Sequence, residues 1–316
     1  MGEDRFKRAV VVGTGMMGPG IALTLARGGL EVKVAGRTPQ SIERGLNSFR
    51  ANLKTLLDNR LLEANEASLL EKRVSGTTAI FQEAAKSDLV VESILEDVKV
   101  KQEFFGLLEG VCSSSTVFTT NTSGIRVTEI ATRLTHPERI VTTHFWNPPF
   151  LMPLVEVILG ERSSEEVGRA IHNLFKKCGK TPVLVRKDAP GQVGNRLFHA
   201  IIRESAYMVQ EGICTAEDVD TVIQNSFGLR FPVYGPLDHM DLVGLDLISA
   251  IQTYVAPHLC NIPNCLPIFH KKVANGELGV KTGKGFYDWS KRDADEVRRI
   301  RDEFIIRRLK ERKQSQ

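Results

Sequence analysis

The sequence predicts an α/β fold in which a doubly wound N-terminal domain is followed by an all-helical C-terminal domain. Short β-branched runs alternate with helical stretches up to about Asp188. A glycine-rich turn separates the first of these runs from the first helix, and from Pro190 onward only helical periodicity remains. With 316 residues, 42% of them hydrophobic and 25% charged, the chain is long enough for about two domains with real cores.

The first strand and the first helix enclose the glycine turn. The run Ala9–Val12 leads into Gly13–Gly18, and an Ala/Leu-rich helix follows. Gly13 would allow a tight turn, Gly15 would let backbone N–H groups approach a pyrophosphate, and Gly18 would let the helix pack closely on the strand. This arrangement predicts a Rossmann-type dinucleotide site, and a glycine-rich turn in an unrelated α/β protein is the alternative. The predicted coenzyme contacts at this turn are Gly13, Gly15, Met16, Met17 and Gly18.

The second strand, Glu31–Ala35, ends where the dinucleotide fingerprint places an acid that hydrogen-bonds the adenosine ribose. The sequence has Gly36 and Arg37 there instead. The side chain that would repel a 2′-phosphate is therefore absent, and a guanidinium that can pair with one is present. We predict that Arg37 contacts the coenzyme and that NADP(H) is accepted beside NAD(H). An exposed arginine in a turn, with NAD held by other contacts, is the alternative.

The later elements divide the chain into three segments. The further strands of the predicted, largely parallel sheet are Leu89–Glu92, Val117–Thr119, Ile140–Thr143, Val155–Leu159 and Pro182–Val185. A linker is predicted at Lys187–Gly191, and Thr215–Asp218 is a helix start with a capping box. We therefore expect a dinucleotide-binding domain over residues 1–188, a helical substrate and dimerisation domain over 189–290, and a basic amphipathic tail over 291–316.

A histidine and a glutamate stand twelve residues apart near the middle of the chain. His144 lies at a proline-containing turn, and Glu156 lies inside an apolar run. An imidazole titrates near neutral pH, and a carboxylate on its second nitrogen would fix the tautomer and stabilise the imidazolium. The pair therefore predicts an oriented general base, with a structural histidine and an ordinary buried glutamate as the alternative.

Seven signatures stand in one order along the chain. They are Gly13–Gly18, Asp88–Glu92, Asn121–Ser123, His144–Pro148, Val155–Val157, Pro190–Leu197 and Lys281–Tyr287. In this set and order the chain resembles the 3-hydroxyacyl-CoA dehydrogenase family, from about residue 7 to residue 289. The resemblance implies an NAD(P)-dependent oxidoreductase that transfers a hydride between a nicotinamide and the 3-hydroxyl or 3-keto carbon of a short-chain 3-hydroxyacyl-CoA.

The resemblance also assigns roles to individual residues. It implies His144 as the catalytic base, Glu156 as its partner, Ser123 as a hydrogen-bond donor to the substrate oxygen, and Asn195 as a second polar contact. It further implies that Glu96, Lys101, Ser123 and Lys281 lie around the coenzyme. From the residues alone, Ser123 would pass for part of a helix-entry loop and Asn195 for a helix cap. His144, Glu156 and Asn195 are expected to flank a cleft between the domains.

The resemblance is weaker in the segment that would contact the far end of the substrate. Asn52 and Asn59 stand where relatives place a serine and a lysine against coenzyme A. Lys54 and Arg60 lie nearby, either to take over phosphate contacts or as the solvated face of a helix hairpin. Related branches act on free hydroxy acids such as L-gulonate and carnitine, or on a pyridine carboxylate aldehyde. Trp146 and the two prolines that follow Asn147 would fit such a branch.

Composition restricts the partners. The formal net charge is only +4, and the basic tail holds a single aromatic, so nucleic-acid binding is not expected. No run approaches 18 consecutive apolar residues and no signal-peptide core is present, so we expect a cytoplasmic protein without membrane contact. A small-molecule substrate is expected. The apolar stripe of the first C-terminal helix would serve an internal core or a dimer surface, and the family resemblance favours a homodimer.

Metal and redox sites are not predicted. The five cysteines form no CxxC pair and are odd in number, which indicates reduced thiols. The cluster Asp238–Asp241 is the one hint of a metal, and a helix-start loop is its other interpretation. A non-catalytic dinucleotide-binding protein is the remaining functional alternative. The chain keeps all of Ser123, His144, Glu156 and Asn195, which favours an enzyme. A protein that had lost its catalytic activity would have no physical need for a base and the acid that orients it.

Overall fold

A computed structural model describes residues 5–314. Two compact units divide the chain by their contacts, Met1–Asn195 together with Asp302–Gln316, and Arg196–Arg301. The first unit holds the sheet and the helices on its two faces, and the second is helical. The predicted fold class, a doubly wound N-terminal domain with a helical C-terminal domain, is confirmed.

One sheet of eight strands forms within residues 5–314. The strands are β1 (Arg8–Val12), β2 (Glu31–Ala35), β3 (Val74–Thr77), β4 (Leu89–Glu92), β5 (Val117–Thr120), β6 (Ile140–Phe145), β7 (Leu154–Ile158) and β8 (Thr181–Val185). Their order is β3-β2-β1-β4-β5-β6-β7-β8. All neighbours are parallel except β6 and β7, which run antiparallel.

Fourteen helices surround or follow the sheet in the described residues. They are α1 (Gly18–Arg27), α2 (Pro39–Asp58), α3 (Ala64–Arg73), α4 (Ile80–Ala84), α5 (Val98–Val111), α6 (Val127–Ile130), α7 (Glu165–Lys177), α8 (Gly194–Gln210), α9 (Ala216–Asn225), α10 (Phe227–Arg230), α11 (Pro236–Val243), α12 (Leu245–Val255), α13 (Pro267–Ala274) and α14 (Ala294–Gln314). Short 3₁₀ turns occupy Ala131–Arg133, Pro137–Arg139 and Ala256–His258.

Apolar clusters cover both faces of the central strands, and successive strand residues point alternately into one cluster and the other. In β1, Ala9 and Val11 belong to one apolar cluster, and Val10 and Val12 belong to the other. The same alternation continues through the central strands. At the carboxyl ends of β4, β5 and β6 the second face changes from apolar to polar side chains, so that a buried polar edge forms where the chemistry is expected. The polar residues of this edge are Glu92, Thr120, Thr142 and His144.

The helical unit has a small core of its own. Ala206, Cys260 and Leu266 are its buried centre, and four partly buried side chains pack against them. The predicted capping box at the start of α9 is present, because Thr215 Oγ1 accepts a hydrogen bond from Asp218 N (3.1 Å) and Asp218 Oδ2 accepts one from Thr215 N (3.0 Å). Among the described residues, helices α10, α11, α12 and α13 contain no buried side chain.

The C-terminal tail forms the long helix α14. Its buried apolar residue is Ile306, and Ile305 and Leu309 pack beside it against the core of the first unit. Ile300 and Phe304 are more than half exposed, so the apolar side of α14 that packs against the core is formed by Ile305, Ile306 and Leu309. None of the helices in residues 5–314 combines the length and the hydropathy needed to cross a membrane.

Candidate active site

His144 and Glu156 face each other across the only antiparallel pair of strands in the described sheet. The ladder places His144 of β6 directly opposite Glu156 of β7, where side chains lie on the same face and within reach of each other. His144 Nδ1 is 2.7 Å from Glu156 Oε2. The histidine is 4% exposed and the glutamate 1%. His144 therefore lies inside a strand, one residue before its end, and not in the turn that the sequence suggested.

The carboxylate of Glu156 is held by four groups. Oε1 accepts hydrogen bonds from the backbone N–H groups of Val193 (2.9 Å) and Gly194 (3.0 Å). Oε2 accepts from His144 Nδ1 and, at 3.4 Å, from Trp146 Nε1. Burial alone would raise the pKa of Glu156, but the hydrogen bonds from His144, Gly194 and Val193 hold this pKa below its ordinary value. Glu156 is therefore an anion that fixes the Nδ1–H tautomer of His144.

The second ring nitrogen of His144 is the one available to a substrate. Nε2 has no hydrogen-bond partner among residues 5–314. The indole of Trp146 lies beside the imidazole, with ring centroids 5.9 Å apart. A Cβ at Gly194 would lie 2.5 Å from Trp146 Cζ2, so the glycine lets the indole approach the turn that binds Glu156 closely.

The loop after β5 brings Ser123 and Asn195 together. Asn195 Nδ2 donates to Ser123 O at 3.1 Å, and the exposed Ser123 hydroxyl has no partner among the described side chains and backbone groups. Asn195 is the second residue of α8, so its amide braces the serine loop and does not cap the helix. Asn121 Oδ1 accepts from Phe145 N at 2.9 Å, which ties the same loop to the end of β6.

Glu96 holds the serine loop from the other side. Its Oε1 accepts from Thr122 Oγ1 and from the N–H groups of Ser123 (3.2 Å) and Gly124 (3.3 Å). Burial would raise the pKa of Glu96, but the Thr122 hydroxyl, the charge and hydrogen bond of Lys101 and the Gly124 N–H lower this pKa. Glu96 is therefore a half-exposed anion whose first oxygen is already occupied by the protein.

Lys101 is buried between two carboxylates. Its Nζ lies 2.6 Å from Glu92 Oε1 and 3.3 Å from Glu96 Oε2, and the side chain is 1% exposed. Glu92 Oε2 accepts from Thr120 Oγ1 at 2.6 Å. Glu92 belongs to the signature Asp88–Glu92, and the sequence alone indicated no role for it. The available signal was an acid at the end of a fully apolar strand, nine residues before a lysine. A direct coenzyme contact by Lys101 stays a prediction, because its ammonium is turned to these carboxylates.

The glycine turn has the shape of a dinucleotide cradle. Gly13 has φ +127°, and a Cβ there would collide with Ser93 O, while a Cβ at Gly18 would collide with Gly13 O. A Cβ at Gly15 meets nothing within 4 Å and faces a cavity of about 910 Å³. Helix α1 begins at Gly18 without an acidic residue in its described first turn, so its positive end favours an anion. Met16 is 77% exposed at this turn, and Met17 is half-buried against the core. These residues fit a dinucleotide pyrophosphate.

Arg37 lines the same cavity, two residues beyond the end of β2. Lys281, the remaining predicted coenzyme residue, is exposed in a turn of the helical unit, and its role stays a prediction. Asp238–Asp241 lies inside α11. The described residues hold no group of three or more His, Cys, Asp or Glu suited to a metal. All five cysteines are free thiols.

The helix hairpin of α2 and α3 carries the residues considered for coenzyme A. Lys54 Nζ pairs with Asp58 Oδ2 at 2.7 Å on the exposed side of α2. Asn59 Nδ2 donates to Thr55 O at 2.9 Å and so satisfies a carbonyl at the end of that helix. Arg60 is exposed in the turn that follows, with φ +56°. Lys54 and Asn59 thus have partners within their own helix, which is the arrangement expected of a solvated helix face.

Two family profiles divide the chain between them. The description "3-hydroxyacyl-CoA dehydrogenase, NAD binding domain" matches residues 8–189, and "3-hydroxyacyl-CoA dehydrogenase, C-terminal domain" matches residues 191–289. The chain belongs to the 3-hydroxyacyl-CoA dehydrogenase family. As a member of this family it is an oxidoreductase with an NAD-binding domain. The profiles meet at residues 189 and 191, whereas the contacts divide at Asn195, because Val193, Gly194 and Asn195 bind groups of the first unit.

Individual members of the family differ in how much of the chain they match. A 5-formyl-3-hydroxy-2-methylpyridine 4-carboxylate 5-dehydrogenase of Mesorhizobium japonicum is 32% identical over 307 residues, which are 96% of this chain and 98% of the relative. A probable 3-hydroxybutyryl-CoA dehydrogenase of Bacillus subtilis is 36% identical over 287 residues, 90% of this chain and 98% of the relative.

Solved structures of the family show the same difference in coverage. A crystal structure of the pyridine carboxylate 5-dehydrogenase, described as an NAD⁺-dependent dismutase, has a TM-score of 0.86 at 30% identity and covers 95% of this chain and 96% of its own. The (S)-3-hydroxybutyryl-CoA dehydrogenase of Ralstonia eutropha has a TM-score of 0.76 at 30% identity and covers 90% of this chain and all of its own.

Proposed function

We propose that this protein is an NAD(P)-dependent dehydrogenase of the 3-hydroxyacyl-CoA dehydrogenase type, with His144 as general base and Glu156 as the carboxylate that orients it. The observation that carries the proposal is the buried pair itself. Glu156 receives four hydrogen bonds, one of them from His144 Nδ1, which leaves Nε2 of the histidine for a substrate. The hydrogen bond at Nδ1 sets the tautomer and leaves Nε2 as the acceptor.

The proton step follows from this geometry. In the oxidation direction His144 Nε2 accepts the proton of a secondary alcohol, and the imidazolium that forms lies against the anion of Glu156. A bound nicotinamide supplies the hydride acceptor at its C4. The free Ser123 hydroxyl, braced by Asn195, donates to the substrate oxygen and keeps it in line with the base. In the reduction direction the same histidine returns the proton to the oxygen.

A short-chain 3-hydroxyacyl-CoA is the first substrate candidate. It is supported by the match of both family profiles and by relatives named as 3-hydroxybutyryl-CoA dehydrogenases at 34–36% identity. In this candidate the alcohol at His144 is the 3-hydroxyl of the acyl chain.

A free carboxylate substrate is the second candidate, and two observations favour it. The pyridine carboxylate dehydrogenase matches nearly the whole chain, whereas the 3-hydroxybutyryl-CoA dehydrogenases match 88–90% of it. On α2, Lys54 is already neutralised by Asp58, and Asn59 is engaged with its own helix, so neither is ready to hold a coenzyme A phosphate. Hydroxy acids such as gulonate, carnitine and hydroxybutyrate belong to this class.

The test is oxidation of NADH and NADPH, in parallel, with acetoacetyl-CoA and with a panel of free keto acids and the pyridine carboxylate aldehyde. Turnover with acetoacetyl-CoA supports the first candidate, and turnover with the free acids alone supports the second. The matched control is His144→Gln, which keeps a hydrogen-bonding side chain but lacks a group that titrates near neutral pH. The absence of turnover with every substrate would contradict the proposal.

The coenzyme proposal extends to NADP(H). Gly36 removes the acid that would repel a 2′-phosphate, and Arg37 lines the coenzyme cavity. We therefore expect NADPH to support turnover beside NADH. An NADH preference of about tenfold or more in kcat/KM, which corresponds to the discrimination expected from one charged contact, would contradict this expectation.

The assembly proposal is a homodimer formed through the helical unit. Leu237, Leu242, Leu245 and Tyr254 are each more than 60% exposed, and α11 and α12 bury no side chain among the described residues. A monomer rarely leaves an apolar surface of this extent in water, and a second copy of the chain is the partner that is always present. Light scattering is expected to give twice the monomer mass. A monomer at micromolar concentration would contradict the proposal.

A further inference from the structure

We propose that Arg37 and Arg44 together form a binding site for a phosphate monoester on the adenosine ribose, and that this chain selects NADP(H) over NAD(H). The inference rests on the proposed dinucleotide function of the glycine cradle. It adds a second residue, Arg44, and turns acceptance of NADP(H) into a preference.

Both arginines line the cavity that the glycine turn faces. Arg37 follows the end of β2, and Arg44 lies in the second turn of α2. Residues three apart on a helix share a face, and Thr38, Ser41 and Arg44 form such a row. All three line the cavity together with Arg37. The row therefore directs Arg44 to the adenosine end, where Arg37 already lies.

The two guanidinium groups have no counterion in the described structure. Neither Arg37 nor Arg44 forms an ion pair within residues 5–314, and no acidic side chain lines the described cavity. Arg50, on the same helix, shows the contrast, because it pairs with Glu71 at 3.4 Å. Two unpaired guanidiniums at one cavity wall can bind a phosphate dianion with bidentate hydrogen bonds.

The start of α2 adds to the positive field. The helix has 20 residues, and its first turn, which the structure describes in full, contains no acidic residue. The helix dipole therefore favours an anion at this end. A dianionic phosphate gains from this field, whereas the neutral ribose hydroxyl of NAD gains little.

Residue 36, where NAD-binding proteins carry the acid that binds the ribose diol, has no room for a side chain beside the N-terminal cap of α2. A Cβ at Gly36 would lie 2.7 Å from Ser41 Oγ and 2.8 Å from Thr14 Cγ2. Ser41 Oγ donates to Thr38 O at 2.7 Å, and Ser41 N donates to Thr38 Oγ1. A side chain at residue 36 would have to displace this cap. The cavity near the adenosine ribose is therefore lined by two arginines, and no carboxylate of the described residues lines it to bind a ribose diol.

The test measures binding of two coenzyme fragments to the full chain by titration calorimetry. Adenosine 2′,5′-bisphosphate carries the 2′-phosphate, and 5′-AMP lacks it. The wild-type chain is expected to bind the bisphosphate about tenfold or more tightly, since hydrogen bonds to charged groups are worth at least this factor. Arg37→Gln and Arg44→Gln are each expected to lose most of this preference, and Arg44→Lys to keep part of it. Arg50→Gln, the control on the same helix, should bind as the wild type does.

Two results would overturn the inference. Equal affinity of the wild type for both fragments would contradict the 2′-phosphate site. An unchanged preference for the bisphosphate in Arg44→Gln would show that Arg44 is not part of this site. Neither fragment contains a nicotinamide, and no hydroxy substrate is present, so the result is independent of hydride transfer. A chain that turns over NADH but binds both fragments equally would keep the proposed dehydrogenase and lose only this site.

Discussion

Two buried carboxylates on one face of the sheet have different partners, and the difference bears on the chemistry that each pair can support. Glu92 and Glu156 are 0% and 1% exposed, and each is bonded to a cationic or potentially cationic partner at 2.6–2.7 Å. The partner of Glu92 is Lys101, whose Nζ is shared with Glu96. The partner of Glu156 is His144, which has one nitrogen without a partner in the described residues. A buried ion pair can do proton chemistry only when its cation has a second, unengaged site.

The two carboxylates also differ in the groups that donate to them. Glu92 accepts from Lys101, from Thr120 and from Ile94 N at 2.7 Å, so a lysine ammonium lies directly against it. Glu156 has two backbone donors, an indole and an imidazole, and no permanent cation among its described partners. A cation would lie against it only when His144 is protonated, which is the state that the proposed alcohol oxidation would form.

The largest effect is expected from His144→Gln, which removes the base but keeps a polar side chain on Glu156. Turnover should fall by about 10²–10⁴-fold, the usual contribution of a general base. Coenzyme affinity should remain close to that of the wild type, because the cradle at Gly13–Gly18 is unchanged. Steady-state kinetics and coenzyme titration measure the two quantities. A kcat near the wild-type value would contradict the proposal that His144 is the general base.

The next effect is on stability, and it concerns the other pair. Lys101→Met would leave the Glu92 carboxylate buried without its cation, which typically costs about 3–5 kcal/mol of unfolding free energy. The double variant Glu92→Gln with Lys101→Met should recover most of this loss. Urea denaturation measures the free energy of unfolding. A single variant as stable as the wild type would mean that the pair is not the internal support described here.

Lys180 is a half-buried cation, and its hydrogen-bond partners among the described residues are carbonyl oxygens. Its Nζ donates to Pro149 O (2.5 Å) and Met152 O (2.8 Å), and burial, together with the charge of Arg27, lowers the pKa of Lys180 to about 7. Between pH 7 and the ordinary lysine pKa near ~10.4, the unfolded chain binds a proton that the folded chain does not. Stability should therefore rise through this window.

Lys180→Met tests this pH dependence. The free energy of unfolding of the wild type, relative to this variant, should increase by on the order of a few kcal/mol as the pH rises from about 7 to 10. The variant loses the two carbonyl hydrogen bonds at every pH, so only the slope is diagnostic. A difference that is flat across this window would contradict the lowered pKa of Lys180.

The smallest effect is expected from Trp146→Phe, which keeps a ring against Gly194 but removes the N–H that donates to Glu156 Oε2. One hydrogen bond is worth about 1 kcal/mol, so the change in the charge of the Glu156 carboxylate should be small. With one donor fewer, the carboxylate stabilises the imidazolium more, and the acid limb of the oxidation profile should move to higher pH. Trp289→Phe is the matched control, and a profile that moves equally in both variants would contradict this role.

The sequence alone predicted the glycine turn and the contact between His144 and Glu156, because both rest on local patterns. Glycines between a strand and a helix predict the turn, and a histidine twelve residues before a glutamate suits two strands joined by a short connection. The antiparallel direction of β7 was not predicted. It follows from the same short connection, since a parallel return needs a crossover of a dozen or more residues.

Other features depend on tertiary packing that no local pattern reports. β3 has four residues, and only Val74 is buried, so it lacks a hydrophobic signal of its own. The N–H groups of Val193 and Gly194 reach Glu156 from a turn nearly forty residues away, and backbone donors leave no trace in side-chain identity. Arg44 was overlooked because its importance comes from sharing a cavity with Arg37, which only the packing of α2 beside β2 establishes.

The most direct test of the account is the pH dependence of kcat/KM for alcohol oxidation in the wild type and in Glu156→Gln. The amide keeps the shape of the side chain but removes the charge that stabilises the imidazolium of His144. The plateau should fall by about 10-fold or more, and the acid limb should move to lower pH, as expected for a general base that has lost its anion. An unchanged plateau with an unmoved acid limb would contradict the central claim that Glu156 acts through His144.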